Sequence, residues 1–388
     1  MLNFQFVSPT KIIFGKNTEE KVGEEVKKLS DKILLHYGQG SIKKIGLYDI
    51  VVESLKKAGV DFVELGGVQP NPRLSLVKKG IEICKKEKIN FILAVGGGSV
   101  IDSSKAIAAG VKYEGDVWEL YEGKGTLKDA LSVGVILTIP AAGSEASMGS
   151  VITKEEGWYK RAINYDILRP KFTIMNPELT YSLPPFQTAV GTVDMLTHVM
   201  ERYFTNTKNV DLTDRLSEAT MRTIIHNAPL ALEDPHNYNV RAEIMWAGTV
   251  AHNGLLGTGR EEDWATHDIE HEVSGIYDVA HGAGLAVLFP AWMKYVYRHD
   301  INRFAQYATR VWNVEPDFFN LEKTALEGIK RLENYYKESL NLPLTLKELK
   351  VPDDRFEEMA EKATEKGPLG NFVKLYKEDV LNILKLAK

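Results

Sequence analysis

Short apolar runs alternate with longer segments of helical periodicity through the first half of the chain. The apolar runs predict strands at 11–14, 32–37, 61–65, 91–95 and 132–139. The longer segments predict helices at 18–29, where Thr18 would be the N-cap, and at 50–58, 74–87 and 100–110. Several strands are apolar throughout, as is typical of strands buried on both faces of a parallel sheet. The pattern therefore predicts an α/β domain with a Rossmann-like parallel sheet covered by helices.

The pattern changes after residue 185, where strand signals become scarce. Helical periodicity recurs at 187–205, 211–227, 240–253, 264–276, 284–298, 304–312, 321–339, 354–362 and 378–387. The pair Pro184 and Pro185 interrupts regular structure just before the first of these helices. We therefore expect two domains, an α/β domain over 1–185 and an all-α domain over 186–388.

Composition excludes several classes of protein. The net charge of -5 over 388 residues comes with no basic stripe, so nucleic acid is not an expected partner. No apolar stretch approaches the ~20 residues of a membrane span, and the N-terminus lacks a signal-peptide pattern. The single cysteine, Cys84, excludes an internal disulfide and a multi-thiolate metal site. These features predict a cytoplasmic protein.

Small residues follow three of the predicted strands. Residues 38–41 read Gly-Gln-Gly-Ser, residues 96–99 read Gly-Gly-Gly-Ser, and residues 138–145 end in Ala-Gly-Ser-Glu. A backbone without Cβ atoms can approach a pyrophosphate closely, and a helix N-terminus supplies free N–H groups. Because ligands of open α/β sheets bind at the carboxyl ends of strands, these turns predict one dinucleotide site. Tight turns without a ligand are the alternative interpretation.

Individual residues at these turns refine the prediction. Ser99 is placed to cap the following helix, with Asp102 completing a capping-box-like pair. Gln39 stands where a carboxylate would bind a ribose 2′-hydroxyl and repel a 2′-phosphate, so NADP(H) is favoured while NAD(H) stays open. Lys160 could neutralise a phosphate or face the nicotinamide; a solvated hairpin lysine is the alternative.

A carboxylate and four histidines form the second candidate site. Asp194 and His198 are four residues apart in one predicted helix, and His267 and His271 repeat that spacing in another. Side chains at this spacing leave the same face of a helix, and His281 follows nearby in a glycine-rich segment. A carboxylate with several imidazoles predicts a site for Fe(II) or Zn(II), which the ligand types do not separate. The alternative is that these pairs are unrelated surface or core residues.

The ordered set of motifs resembles the iron-containing, or group III, alcohol dehydrogenase family, and within it the butanol dehydrogenase-like members. The resemblance is carried by residues 37–44, 96–102, 194–198, 263–271 and 281–286. It implies a dinucleotide-binding α/β domain, a helical metal domain and a homodimer. The metal-ligand positions of the family match Asp194, His198, His267 and His281. Its cofactor positions match Gly38, Gly40, Ser41, Gly97, Gly98, Ser99, Asp102, Thr138, Ser144 and Lys160.

The resemblance implies a metal-dependent NAD(P)(H) alcohol dehydrogenase or aldehyde reductase for small primary alcohols such as butanol. The metal would polarise the substrate oxygen while hydride passes to or from C4 of the nicotinamide. The family name favours Fe(II), and Zn(II) stays possible. His271 is a candidate proton shuttle, with a hydrogen bond on the helix face as the alternative, and Trp264 is a candidate wall of the substrate site or a core residue. Two rival functions stay open: a glycerol dehydrogenase-like enzyme and a non-catalytic metal or dinucleotide sensor. A dehydroquinate synthase-like enzyme is disfavoured, because the sequence gathers no set of several basic residues near the histidines to bind a substrate phosphate.

Overall fold

A computed structural model describes all 388 residues of the chain. The chain divides into two compact units. The sheet unit contains Val7–Leu183 and Pro235–Thr249, and the helical unit contains Met1–Phe6, Pro184–Asp234 and Val250–Lys388. The chain thus passes from one unit to the other four times, rather than once near residue 185.

A six-stranded parallel sheet forms the centre of the sheet unit, as the apolar runs predicted. Its strands are β1 (Lys11–Phe14), β2 (Lys32–Gly38), β3 (Asp61–Val68), β4 (Phe91–Gly96), β5 (Ser132–Leu137) and β8 (Phe172–Met175), in the order β1-β8-β5-β4-β2-β3. The strands β6 (Gly149–Lys154) and β7 (Tyr159–Asn164) form a separate antiparallel hairpin.

Helices cover the sheet: α1 (Val22–Lys27), α2 (Ser41–Lys44), α3 (Leu47–Lys57), α4 (Leu74–Glu87), α5 (Gly98–Lys112) and α6 (Trp118–Tyr121). The side chains of β4 alternate between two apolar clusters, because successive residues of a strand face opposite sides. Ile92 and Ala94 belong to one cluster, and Leu93 and Val95 belong to the other. Both faces of the central strands are therefore buried.

The helix predicted at 18–29 is shorter than expected. Asn17 has a left-handed φ of 56°, and a 3-10 turn over Thr18–Lys21 precedes α1. The hydroxyl of Thr18 donates to the carbonyl oxygen of Gly15 at 2.8 Å and does not cap a helix. The predicted N-cap is wrong because this hydroxyl satisfies the preceding turn instead.

The helical unit is built from α7 (Pro185–Tyr203), α8 (Asp211–Glu233), α10 (Ala265–Tyr277), α11 (His281–Val296), α12 (Ile301–Trp312), α13 (Leu321–Asn334), α14 (Phe356–Ala363) and α15 (Lys377–Leu386). Its core is rich in aromatic rings. The ring of Phe204 stacks on Phe304 with centroids 4.5 Å apart and meets Trp292 at 5.7 Å. None of the helices combines the length and the apolar character that crossing a membrane requires.

Helix α9 (Tyr238–His252) belongs mostly to the sheet unit, although it lies far along the chain. Met245 joins one apolar cluster of that unit, and Trp246 meets Phe14 edge to face at 6.4 Å. The hydroxyl of Thr249 donates to the buried carboxylate of Glu145 at 2.6 Å. The returning segment therefore completes the core of the sheet unit.

Candidate functional site

The three small-residue segments lie at the carboxyl ends of β2, β4 and β5, which are neighbours in the sheet. The backbone N–H of Thr138 donates to the carbonyl oxygen of Gly96 at 3.1 Å, which joins two of the segments directly. Helices α2 and α5 begin at Ser41 and Gly98, so their N-termini lie at the same edge. An edge of this kind is where open α/β sheets bind dinucleotides.

Two glycines allow this edge to pack closely. A Cβ on Gly98 would lie 2.9 Å from Cβ of Ala142, and one on Gly97 would lie 3.1 Å from Cβ of Ile139. Gly40 has a φ of 140°, a backbone conformation that favours glycine, and no atom lies within 4 Å of where its Cβ would be. The first turn of α2 is therefore left open, while the first turn of α5 packs against the third segment.

Asp102 does not act as the predicted capping partner of Ser99, and no side chain caps α5. Its carboxylate instead accepts hydrogen bonds from the Ser144 hydroxyl at 2.6 Å and from the backbone N–H of Val151 at 3.0 Å. The buried ammonium of Lys105 donates to the carbonyl oxygen of Ser144 at 2.7 Å. Asp102 and Ser144 thus fix the third segment against α5.

The alternative interpretation of Lys160, a solvated hairpin lysine, is wrong. Lys160 lies in β7 of the hairpin, but only 4% of it is exposed, and its ammonium donates to the Asn71 amide oxygen at 3.0 Å. The ammonium is therefore held against Asn71 inside the sheet unit rather than solvated.

Gln39 is exposed after β2, and no carboxylate replaces it at that turn. The following helix carries Lys43, whose ammonium lies 4.5 Å from the ring centroid of Tyr48 and 5.2 Å from that of Tyr37. The hydroxyls of both tyrosines donate to the carboxylate of Glu64 at 2.7 Å. An exposed polar group and a cation therefore flank this turn.

The acidic and histidine candidates converge within the helical unit. Helix α7 carries Asp194 and His198, α10 carries His267, and His281 is the first residue of α11. From Asp194 Oδ1 the distance is 3.5 Å to His198 Nδ1, 3.9 Å to His267 Nε2 and 3.8 Å to His281 Nε2. All four side chains are buried except His281, which is 24% exposed. The structure therefore brings the four predicted ligand residues around one carboxylate oxygen.

The polar atoms of this cluster fit a divalent ion. Asp194 Oδ1, His198 Nδ1 and His267 Nε2 are buried and have no hydrogen-bond partner, which is rare for polar atoms in folded proteins. Burial lowers the pKa of His267, but the carboxylates of Asp194 and Glu201 outweigh it and raise that pKa to about 9. Burial, together with the neighbouring His252 and His267, lowers the pKa of His198 well below its usual value. The unpartnered nitrogen and oxygen donors of the cluster suit Fe(II) or Zn(II).

His271 lies one helical turn after His267 on α10 and is buried. Its ring centroid is 5.6 Å from that of His281, and one ligand atom each of Glu270, His271 and His281 lie within 4.8 Å of one another. His271 is therefore beside the four converging side chains without belonging to the group around Asp194 Oδ1.

Two further rings border the cluster. The ring of Trp264 lies 5.0 Å from His267 and 5.8 Å from His198, centroid to centroid. Trp264 has a φ of 69°, an uncommon conformation for a bulky residue and one that is typical of functional sites. The ring of His252, which no spacing in the sequence marks, lies 4.2 Å from His198. The two rings enclose one side of His198.

Two glutamates were also missed. Glu201 accepts a hydrogen bond from His267 Nδ1 at 2.9 Å, and Glu270 accepts one from His281 Nδ1. Their positions signalled the helix face but not the histidine each would contact, since Glu201 lies three residues after His198, and Glu270 lies three after His267. Residues at that spacing are neighbours on a helix surface.

Comparison with known proteins agrees with this geometry. The family described as "Iron-containing alcohol dehydrogenase" matches residues 9–177, and "Fe-containing alcohol dehydrogenase family, C-terminal" matches residues 188–388. The chain is 47% identical to the "Probable NADH-dependent butanol dehydrogenase 1" of Bacillus subtilis, over 100% of both chains. It is 39% identical to the "NADPH-dependent aldehyde reductase YqhD" of Escherichia coli, over 81% of each chain.

A solved structure shows the same likeness. The "NADH-dependent butanol dehydrogenase A" of Thermotoga maritima superposes with a TM-score of 0.96 at 42% identity, covering 100% of this chain and 99% of the other. The two matched ranges together cover nearly the whole chain. The four converging residues lie in the second range, 188–388. The chain belongs to the iron-containing alcohol dehydrogenase family.

Proposed function

We propose that this protein interconverts small, unbranched primary alcohols such as butanol and their aldehydes with a nicotinamide dinucleotide. The observation that carries the proposal is the set of three buried, unpartnered atoms on Asp194, His198 and His267 beside His281. The names of the relatives, butanol dehydrogenase and aldehyde reductase, support the substrate class. We infer Fe(II) as the resident metal from the family description, with Zn(II) as an alternative that the same donors would hold.

The chemistry divides between the bound groups and the chain. When bound, the divalent ion supplies Lewis acidity toward the substrate oxygen, and the nicotinamide supplies or accepts hydride. Asp194, His198, His267 and His281 would hold the ion. His271 is proposed to take up or release the proton of the alcohol at a ring nitrogen, because imidazole exchanges protons near neutral pH. The rings of Trp264 and His252 lie against His198 and would limit access of water to one side of it.

The proposed nucleotide contacts follow the sheet edge. The N–H groups at the first turns of α2 and α5 would bind the phosphates, and Lys160 would balance their charge. The proposed contacts are Gly38, Gln39, Gly40, Ser41, Gly97, Gly98, Ser99, Asp102, Thr138, Ser144 and Lys160. We propose that NADP(H) is accepted and favoured, because Gln39 places no negative charge at the turn after β2 and Lys43 lies nearby. Relatives carry both NADH and NADPH in their names.

We further propose a cytoplasmic homodimer. Residues 1–6 have no helix or strand, and Leu2, Phe4 and Phe6 are 48%, 54% and 42% exposed. Exposed apolar side chains at alternate positions of one segment mark a surface that another chain can cover. The cytoplasm is where both nicotinamide nucleotides would be available to the enzyme.

The test is turnover after metal loading. Protein freed of metal and reloaded with Fe(II) or Zn(II) should oxidise NADPH or NADH with straight-chain aldehydes of two to six carbons. It should act poorly on dihydroxyacetone, the ketone that a glycerol-specific enzyme would reduce. No turnover with any of these aldehydes under either metal would refute the proposal.

His267→Ala supplies the residue-level check. Loss of one ligand should lower kcat/KM by at least about 100-fold, because a metal contributes several kcal/mol to the transition state. The matched control is His226→Ala, since His226 is exposed on α8 in the same unit. Metal content measured after gel filtration should fall only in His267→Ala. Full activity in that variant would remove His267 from the metal site.

A further inference from the structure

Two buried glutamates stand directly behind the converging histidines. Glu201 lies on α7 and Glu270 on α10, and both are 0% exposed. A carboxylate is seldom fully buried unless other groups satisfy its charge. The groups that surround each of them therefore indicate what each is for.

Glu201 binds the N-terminal turn of α10 with both oxygens. Its Oε1 accepts the backbone N–H of His267 at 3.1 Å, the ring Nδ1–H of His267 at 2.9 Å and the hydroxyl of Thr266. Its Oε2 accepts the backbone N–H of Trp264 at 2.9 Å. The same carboxylate thus holds the ring of His267 and the left-handed backbone of Trp264 beside it.

The contact of Glu201 also fixes which ring nitrogen of His267 carries a proton. An ionised carboxylate only accepts hydrogen bonds, so Nδ1 must be the protonated nitrogen of the neutral ring. The lone pair is then on Nε2, the buried atom that has no partner and lies 3.9 Å from Asp194 Oδ1.

Glu270 stands in the same relation to His281. Its Oε2 accepts from His281 Nδ1 and from the hydroxyl of Ser274 at 3.1 Å. A Cβ on Gly284 would lie 2.6 Å from its Oε1, so a larger residue there would displace the carboxylate. His281 Nε2 again faces Asp194, at 3.8 Å.

We propose that Glu201 and Glu270 are positioning residues that hold His267 and His281 in the tautomer whose Nε2 carries no proton, and that they aim both Nε2 atoms toward Asp194 Oδ1 and one shared cation. The inference rests on the proposed metal centre. A carboxylate behind a ligand histidine fixes the ring and makes it a stronger donor, and removing such a partner commonly weakens metal binding 10- to 100-fold. His198 differs from both, since it is Nδ1 that faces Asp194.

The test uses Co(II), whose visible absorption reports the number and geometry of its ligands. The metal-free full-length protein, E201Q and E270Q are each titrated with Co(II). In E270Q the amide oxygen can still accept from His281 Nδ1 but carries no charge, so we expect about 10- to 100-fold weaker binding and an altered spectrum. In E201Q the amide N–H₂ replaces one carboxylate oxygen and must face a group that donates to Glu201 in the parent protein. The loss of Co(II) affinity should therefore be larger than in E270Q.

The control is E218Q. Glu218 is a buried carboxylate of the same unit that accepts the Tyr203 hydroxyl at 2.8 Å. Removing its charge should leave both the affinity for Co(II) and the spectrum unchanged. If E201Q does not fold, as judged by circular dichroism of the metal-free protein, E270Q decides alone.

The outcomes separate this inference from the proposed function. If the parent protein binds no Co(II), the metal centre itself is refuted, and the inference fails with it. If the parent binds one Co(II) and E270Q matches it in affinity and spectrum, only the positioning role is refuted. Two Co(II) ions per parent chain would also refute it, because Glu270 and His271 would then be ligands of a second ion.

Discussion

Gln39 is the residue at which the choice of nucleotide can be tested. It follows β2 with an exposed amide, at the turn where a carboxylate would meet the ribose of a bound dinucleotide. Gln39→Asp should lower kcat/KM for NADPH by at least about tenfold, because a like charge beside the 2′-phosphate costs more than 1.4 kcal/mol. The value for NADH should stay within about threefold of the parent.

Gln39→Asn is the matched control, because it shortens the side chain without adding charge. Steady-state kinetics with both nucleotides, at two salt concentrations, separate charge from shape, since salt screens only the charge effect. Equal losses with NADH and NADPH in Gln39→Asp would contradict the assignment.

At this scale the convergence of Asp194, His198, His267 and His281 was the most predictable part of the molecule. The four-residue spacing of Asp194 and His198 predicts that both side chains leave the same face of one helix. The roles of Glu201 and Asp102 were not predictable, because which group a carboxylate meets depends on elements distant in the sequence. Asp102 meets Ser144, 42 residues away, and Glu201 meets His267, 66 residues away.

At the scale of elements, His36 joins β2 to β3 and α5. Its Nδ1 lies 2.7 Å from the carbonyl oxygen of Leu65, so Nδ1 donates and Nε2 accepts from the Ser103 hydroxyl at 2.8 Å. The ring is fully buried, and burial lowers the pKa of His36 to about 4. Protonation would force the hydroxyl of Ser103 to accept from Nε2 instead of donating to it, and would place a charge inside the sheet unit.

This arrangement predicts a pH-dependent stability. The folded-state pKa of His36 is below the value of about 6.5 in the unfolded chain, so the unfolded chain binds more protons between these values. The stabilisation is complete above pH ~6.5 and is lost as the pH falls toward 4. The free energy of unfolding should lose about 2.5 kcal/mol from this group between pH 7 and 4.5.

Urea unfolding of the parent and of His36→Gln at both pH values checks this. Other groups titrate over the same pH range, so the free energy of unfolding of the variant is subtracted from that of the parent at each pH. This difference should be about 2.5 kcal/mol smaller at pH 4.5 than at pH 7. His226→Gln, at an exposed position of α8, should leave the difference from the parent constant. If the difference in unfolding free energy between the parent and His36→Gln does not depend on pH, the role assigned to His36 is disproved.

Periodicity predicted the buried strands β2, β4 and β5 well, because each is a run of apolar residues between turns. It failed for β8, a four-residue strand that lies between β1 and β5 only after the chain has folded back. It also missed that α5 begins at Gly98 without a side-chain cap. Short strands and helix starts are decided by neighbours that periodicity does not record.

At the scale of the whole molecule, the apolar segment at residues 1–6 predicts the oligomeric state. The protein should have twice the chain mass of 43.5 kDa in sedimentation equilibrium. The double variant Phe4→Asp/Phe6→Asp should shift it to a single chain mass, because charges cannot be buried in an apolar interface without a large cost.

Phe318→Asp is the control, since Phe318 is also exposed, at 83%, but lies in the loop before α13. It should leave the mass unchanged. A dimer that survives the double variant but not Phe318→Asp would move the interface to that loop.

Because the chain passes between the two units four times, the sheet unit cannot be completed before part of the helical unit has been synthesised. The strands β1 to β8 are synthesised first. Met245 and Thr249, which complete the core of the sheet unit, are synthesised only after α7 and α8. The core of the sheet unit therefore stays incomplete while α7 and α8 of the helical unit are synthesised. Asp194 and His198 likewise precede His267 and His281, so the last of the four proposed cation ligands is synthesised after Met245 and Thr249. Metal capture is therefore expected late in biogenesis, once nearly three-quarters of the chain has left the exit tunnel.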